Sequence, residues 1–397
     1  MESPEPVDGT RSERPFLDVL LSLVTGSAGN PASELTDVVD AAGRLLGAAQ
    51  ARLLVVDYGL VSLQELGQHG PTGPRHPMEG TLPGRSFARS EIVVSGTDPT
   101  MVWVPLEESG DRHGVLELSY TEWTDDLRSL LDPVVRVLVL VLISKRRYTD
   151  VVLRGRRAQP LPLAAEMQWD LLPPLSYTTD EASVSGILEP AYAVGGDSFD
   201  FAFNPNVLEF TIVDAVGRGM AAVSISVLAI SSLRNARREG TGLEAAYLET
   251  GKAIEDQFGQ SNFVTAQVGS LNLATGELSW LNAGHPLPLL IRDGSYTGQL
   301  PCRPSRPMGL RGAVREIATE KLQPGDRVLF YTDGVTEARS PDGEQFGIDR
   351  LADFMVRASL DQVSPAETVR RLSASTLAHS SAGLSDDASM LLIEYHG

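Results

Sequence analysis

Four acidic positions stand where an apolar strand pattern meets a turn. Asp197 lies in "VGGD". Asp214 ends "VLEFTIVD" and precedes "AVGRG". Asp333 ends "RVLFYTD" and precedes Gly334. Asp386, with Asp387 beside it, opens "DDASMLLIEY". A carboxylate after an apolar strand is costly unless something pairs with it. Hard oxygen ligands gathered at sheet ends suit Mg2+ or Mn2+, and no His/Cys cluster argues for zinc. The neighbouring glycines, Gly195, Gly196, Gly217, Gly219 and Gly334, are expected to let the backbone turn sharply and let a carbonyl or a water approach an ion. One such Asp is explained by caps and turns. Four in separate segments, each beside Gly or Asp, point to a shared site. The single cysteine, Cys302 in "LPCRPSRPMG", has no base beside it and reads as structural. One cysteine also excludes a disulfide framework within the chain.

Strand-like runs that could carry these acids begin near Glu181: "ASVSGILEPA", "SFDFAF", "VLEFTIVDA", "FVTAQVGSLNL", "ELSWLNAGHPLPLLI", "DRVLFYTDG" and "ASMLLIEYH". Turn signals such as "ATGE" and "RDGS" separate them. Helical periodicity falls at about 219–239, 242–259, 347–358 and 364–381. Strands with helices inserted in pairs predict a β-sandwich flanked by helices rather than alternating βαβ units. In "SFDFAF" the alternation predicts a half-buried strand.

Upstream, residues 1–15 read as a disordered tail. Phe16 to Ala51 is helical in pattern and "ARLLVVD" is a buried strand. "HGPTGPRHPMEGTLPG" reads as a Gly/Pro-rich loop. "SEIVVSG" and "MVWVPLEESGDRHGVLELSY" follow as strands, the latter a hairpin with a Gly-Asp turn. His69, His76 and His113 fall in the segments read as loops or turns. The run Val134–Ile143, "VVRVLVLVLI", is too short to span a bilayer, which takes about 20 residues, and reads as a buried or coiled helix. The chain is thus expected to be α+β, with a sensor-sized domain at 16–145, a helical linker at 146–178 interrupted by Pro160 and Pro162, and a larger domain at 179–397.

The 397 residues carry 33 basic and 52 acidic side chains, a net charge of −19. Such a surface repels nucleic acid phosphates and anionic lipid. No nucleic acid or membrane partner is expected. The N-terminal "MESPEPVDGTRSERPF" is polar, so a cytoplasmic location is expected.

Resemblances add to this reading. "VGGDSFDF" (194–201) resembles the GGDEF signature of diguanylate cyclases, but Ser198 stands where that chemistry needs an acid, and "YTDG" and "SDDASM" stay unexplained. A second resemblance takes in the whole C-terminal region. "AAEMQWDLLPP" (164–174), "VGGDSFDF", "VDAVGRGMAA" (213–222), "TAQVGSLNLATGELSWLNAGHPLPLLI" (265–291), "LFYTDGVTEAR" (329–339) and "SDDASMLLI" (385–393) are similar, in order, to the SpoIIE/RsbU branch of the metal-dependent (PPM, type 2C) Ser/Thr protein phosphatases. That resemblance implies an αββα sandwich and two Mn2+ or Mg2+ ions. Asp214 would bridge them and the Ala215 carbonyl would be a further ligand. Asp333 and Asp386 would complete the second metal, and Asp197 would act on the first, directly or through water. Asp387 would support them. A two-metal site lowers the pKa of a water for in-line attack on phosphorus, with the ions about 3.5–4 Å apart.

The implied substrate is a phosphorylated STAS-domain anti-sigma-factor antagonist. "AAEMQWDLLPP" is similar to the branch's switch segment. In "AVGRG", Arg218 replaces a frequent His and would either bind phosphate or cap the following helix. His285 in "NAGHP" matches the family and reads as a loop-structuring residue. Residues 80–91, "GTLPGRSFARSE", and 102–118, "VWVPLEESGDRHGVLEL", resemble a GAF sensory domain, which would bind a ligand or an upstream signalling protein, or serve in a homodimer. A catalytically silent pseudophosphatase that binds a partner is the alternative reading.

Overall fold

The computed structural model describes residues 31–189, 191–192, 195–380, 383–384 and 386–397, with the backbone alone for Asp125. The expected tail and the helical pattern before Pro31 lie outside these residues. The chain divides into two compact units near residue 158.

The N-terminal unit contains α1 (Pro31–Leu45), β1 (Gln50–Val56), β2 (Ser62–Gly67), β3 (Gly70–Pro77), α2 (Leu82–Arg89), β4 (Val93–Val94), β5 (Thr100–Glu108), β6 (Asp111–Tyr120), α3 (Arg128–Lys145) and α4 (Val151–Arg156). Its sheet runs β3-β2-β1-β6-β5-β4. Leu35, Val39, Leu53, Leu116, Leu138 and Leu142 share one core. Val134, Val135, Leu138, Val139, Val141 and Leu142 of the apolar run form the buried face of α3, while Arg136 and Leu140 are exposed. Among the described residues no helix is long and apolar enough to cross a membrane.

Two local expectations are corrected. "GPTGPRHP" is the edge strand β3, not a loop, and it carries His76. Pro lacks a donor N–H, but an edge strand can face that missing donor away from its neighbour. The β5–β6 turn is Ser109-Gly110, both with left-handed φ (49° and 87°), as a two-residue hairpin turn requires. Asp111 and His113 already belong to β6.

The C-terminal unit contains α5 (Leu163–Leu171), β7 (Ser176–Thr178), β8 (Ala182–Glu189), β9 (Asp197–Asn204), β10 (Val207–Ala215), α6 (Met220–Glu239) and α7 (Leu243–Phe258). β11 (Val264–Asn272), β12 (Glu277–Ala283), β13 (Leu289–Arg292), β14 (Ser295–Gln299), β15 (Ala318–Lys321) and β16 (Arg327–Tyr331) follow. α8 (Asp333–Glu337), α9 (Gly347–Leu360), α10 (Pro365–His379) and β17 (Ala388–Tyr395) complete it. One sheet runs β15-β12-β11-β10-β9 and the other β14-β13-β16-β17-β8-β7. Phe199, Phe210, Ile212 and Trp280 from the first and Val328, Phe330, Leu391 and Ile393 from the second fill the space between them. Burial of such side chains stabilises by roughly 1.5–3 kcal/mol each. α6 and α7 cover the first sheet through Val213, Ile225, Ile230 and Ile254. α10 packs on β8 and β17.

The strand β9 is buried on both faces, not half-buried as its alternation suggested. Phe199 and Phe201 enter the inter-sheet core. Asp200, on the opposite face, is buried under α6. It accepts from Arg234 Nη2 (2.7 Å) and Arg237 Nη1 (2.8 Å), and the same Arg234 nitrogen donates to the Leu171 carbonyl at the end of α5 (2.6 Å). A polar residue on a covered strand face is tolerated when it is paired in this way. We expect Asp200→Ala to destabilise the C-terminal unit by about 2–3 kcal/mol, because two arginines lose a buried acceptor. Urea denaturation of the full chain measures this; an unchanged midpoint would show that the pair is dispensable.

Candidate active site

The acids meet at one rim of the sandwich. Leu208, Phe210 and Ile212 point into the inter-sheet core, and Asp214 continues that series at the strand end. It stands directly opposite Asp197 on β9 and Thr265 on β11. From the second sheet, β16 ends at Tyr331 and pairs with Met390 of β17. Asp333 just beyond β16 and Asp386 and Asp387 just before β17 are thereby brought together. The expected residues thus come from both sheets.

Exposure grades across the cleft. Asp197 is 2% exposed, Asp214 is half-buried, and Asp333 and Asp386 are open to solvent. Three buried contacts fix Asp197. Thr332 Oγ1 donates to its carboxylate (2.6 Å), its N–H donates to Asp387 Oδ2 (3.3 Å), and its carbonyl accepts from Gln168 Nε2 on α5 (2.7 Å). Thr332 Oγ1 in turn accepts from the Ser389 N–H (2.9 Å). Thr332 and Gln168 were not singled out in the sequence. A hydroxyl ending the apolar strand "RVLFYT" was the available signal for the first. Nothing local marked the second.

The glycines act in two ways. Gly195 and Gly196 stand at points of close approach. A Cβ on Gly195 would fall 1.2 Å from Asp387 Oδ2, and one on Gly196 would fall 2.3 Å from the Ala215 carbonyl oxygen. Gly334 likewise lies against the Asp387 carbonyl. Gly217 and Gly219, by contrast, take left-handed φ values of 98° and 73°, which other residues adopt at a cost. Gly219 is the N-cap of α6, without a side-chain cap. Arg218 therefore does not cap that helix; it is exposed, with its charge beside Asp387.

Like charges this close resist ionisation. Burial, then the charges of Asp214 and Asp387, push the Asp197 carboxyl well above its ordinary value. Asp214 is raised to about 7 by burial and by Asp333, Asp386 and Asp387. Asp387 is raised to about 6, chiefly by burial, despite Arg218. Asp333 is also raised, by burial, Glu337 and Asp386. Among the described residues, no three such side chains already close on one point. The donor set nonetheless suits a hard divalent cation: carboxylates with a backbone carbonyl at hand, and charge that a cation would neutralise. Cys302 is buried in the inter-sheet core, its thiol pushed up by burial, so it is not placed as a nucleophile.

A group protonated more readily when folded stabilises the fold at low pH. Asp214 binds its proton near 3.8 when unfolded and near 7 when folded. Between those values the folded state holds more protons, so stability falls as pH rises through the window. The metal-free C-terminal unit is expected to melt at a lower temperature at about pH 8 than at about pH 5. Asp214→Asn should flatten that fall. A melting point that rises across the window, or falls equally in the variant, would refute the assignment.

Residues 204–396 match the family described as Stage II sporulation protein E (SpoIIE). Protein IcfG of Synechocystis sp. is 27% identical over 219 residues, 48% of this chain and 34% of its own length. Phosphoserine phosphatase RsbU of Bacillus subtilis is 24% identical over 257 residues, 60% of this chain and 72% of RsbU. The chain therefore spans about a third of the first relative and nearly three quarters of the second. The SiaA-PP2C domain of Pseudomonas aeruginosa has a like fold. It is 20% identical, with a TM-score of 0.50, over 58% of this chain and 94% of that domain. With the acids at the rim of a two-sheet sandwich, the C-terminal unit is thus similar to the SpoIIE family over residues 204–396 and has the fold of a PP2C phosphatase domain.

Proposed function

We propose that the chain is a metal-dependent phosphoserine/phosphothreonine protein phosphatase. The observation that carries this reading is the convergence of Asp197, Asp214, Asp333, Asp386 and Asp387 from both sheets on one open rim. Asp214 and the Ala215 carbonyl would hold two ions between them, Asp333 and Asp386 the second, and Asp197 the first. Two bound Mn2+ or Mg2+ ions would supply an activated water and neutralise phosphoryl charge.

The protein's own groups do the rest. Thr332 and Gln168 hold Asp197 in place from its side chain and its carbonyl. Gly195 and Gly196 let Asp387 and Ala215 approach the β9 backbone. Arg218, exposed on the 217–219 turn, would meet the phosphate of an incoming side chain. The burial gradient leaves the outer acids reachable from solvent.

The proposed substrate is a phosphorylated STAS-domain anti-sigma-factor antagonist in a regulatory pathway, in a cytoplasmic setting. The N-terminal unit would act as a GAF-like sensor, with a ligand, an upstream protein or a second copy as its input. The helix α5 falls in "AAEMQWDLLPP", and its Gln168 reaches the backbone of Asp197. Its placement would decide whether the metal site is assembled.

Asp214→Asn is expected to lower Mn2+-dependent turnover of p-nitrophenyl phosphate and of a phosphorylated STAS protein by at least about 100-fold, as loss of a ligand should exceed the 10–100-fold of an outer-shell change. Turnover that survives in this variant would exclude the proposed site. A wild-type protein that binds the STAS partner without hydrolysing its phosphoserine would favour a pseudophosphatase. Gln168→Ala should leave the fold intact but raise the Mn2+ concentration needed for half activity about 10-fold. An unchanged metal requirement would remove α5 from control of the site.

A further inference from the structure

His285 lies on the crossover between β12 of one sheet and β13 of the other. It is 5% exposed, and its backbone is tied down on both sides. Its N–H donates to Asn282 Oδ1 (2.7 Å), and its carbonyl accepts from Asn282 Nδ2 (2.9 Å). The next carbonyl, of Pro286, accepts from Gln267 Nε2 (2.9 Å). These bonds hold the loop without help from the imidazole, so loop formation does not explain the ring.

The ring faces the active site through one intermediary. His285 Nδ1 lies 2.9 Å from Thr265 Oγ1. Thr265 is the direct cross-strand partner of Asp214, and its side chain is near enough to favour the ionised carboxylate. A threonine hydroxyl has one proton to give. An ionised carboxylate can only accept, and it is the stronger acceptor. The Thr265 proton is therefore directed to Asp214, and the contact with His285 must be made by a hydrogen on Nδ1.

The opposite tautomer places the proton on Nε2. The Tyr331 backbone is near enough to favour a protonated ring, yet Nε2 makes no hydrogen bond of ordinary geometry among the described residues. A proton there would lack a well-placed acceptor, whereas a proton on Nδ1 has one at 2.9 Å. Burial keeps the ring neutral, its pKa pushed down to about 3, so a single tautomer must serve.

We propose that His285 is a positioning residue of the cation site: its Nδ1–H donates to Thr265 Oγ1, which orients the hydroxyl toward Asp214 and holds that carboxylate in its binding pose. This rests on the reading of Asp214 as a cation ligand. The hydrogen runs from the inter-sheet crossover to the carboxylate at the sheet end. It couples the loop joining the two sheets to the acid that both would share through bound ions. Outer groups that orient a ligand commonly change metal affinity 10–100-fold.

The test uses the full chain and Mn2+ alone. Calorimetric Mn2+ affinity is compared for the wild type, Thr265→Val, His285→Ala, His285→Asn, His285→Gln and the double variant Thr265→Val/His285→Ala. Each of Thr265→Val and His285→Ala should weaken binding about 10-fold, and the double variant should be no weaker than Thr265→Val alone. The amide nitrogen of Asn can stand in for Nδ1, so His285→Asn should recover affinity and His285→Gln should not. Nitrogen-resolved NMR of the metal-free wild type at a pH well above the Asp214 value of about 7, where that carboxyl is ionised, should place the proton on Nδ1. Additive losses, wild-type affinity in Thr265→Val, or a proton on Nε2 would each overturn the proposal. So would a His285→Ala variant that melts lower yet binds Mn2+ normally. If the wild type binds no Mn2+ at all, it is the cation site that fails, and the NMR result still decides the tautomer.

Discussion

Carboxylates held close together in a half-dry cleft repel one another, and the C-terminal unit is built around keeping them there. Asp197 is buried opposite Asp214, and Asp387 is within reach of the Asp197 N–H. Left to themselves these groups would take up protons, and the raised pKa values of Asp214 and Asp387 express that tendency. Neighbouring groups offer partial relief. Thr332 donates to Asp197, the Asp197 N–H donates to Asp387, the Thr265 side chain favours the ionised form of Asp214, and Arg218 places a positive charge beside Asp387. In the proposed reading, bound cations would neutralise the rest of the negative charge.

The two-sheet architecture follows from the same need. Neither sheet carries a full donor set. The first brings Asp197 and Asp214 to neighbouring strand ends, and the second brings Asp333 and Asp386 to adjacent ends of β16 and β17. The sheets are joined by a common core of large side chains and, at the site, by contacts that admit no side chain. Gly195 sits on the carboxylate of Asp387 and Gly196 on the carbonyl of Ala215. A methyl group on Gly195 would wedge the two sheets apart, and one on Gly196 would push β9 from β10.

Much of this was legible in the sequence because it is local. Apolar runs ending in Asp, at Asp214 and Asp333, give both the strand and the acid at its end. The helices 220–239, 243–258, 347–360 and 365–379 follow their periodicity and stops, such as Gly240 in the left-handed region and Ser364 capping before Pro365. What depends on tertiary neighbours was not legible. The prolines of β3 suggested a loop because pairing along a sheet edge is invisible to local pattern. The burial of Asp200 depends on arginines more than thirty residues away. Gln168, Thr332 and Thr265 act on acids distant in sequence, and only the strand register reveals Thr265 opposite Asp214. The steric reason for Gly195 and Gly196 lies in residues distant in sequence, Asp387 before β17 and Ala215 on β10.

Cation binding linked to proton release tests the central idea most directly. If these acids form a cation site, protons held near neutral pH must leave as the ion enters. Calorimetric titration of the full chain with Mn2+ at about pH 6.5, in two buffers of different ionisation enthalpy, measures that release. Saturable binding with net proton release, reduced in Asp214→Asn, is the predicted result. Binding with no proton release, or no binding, would contradict it.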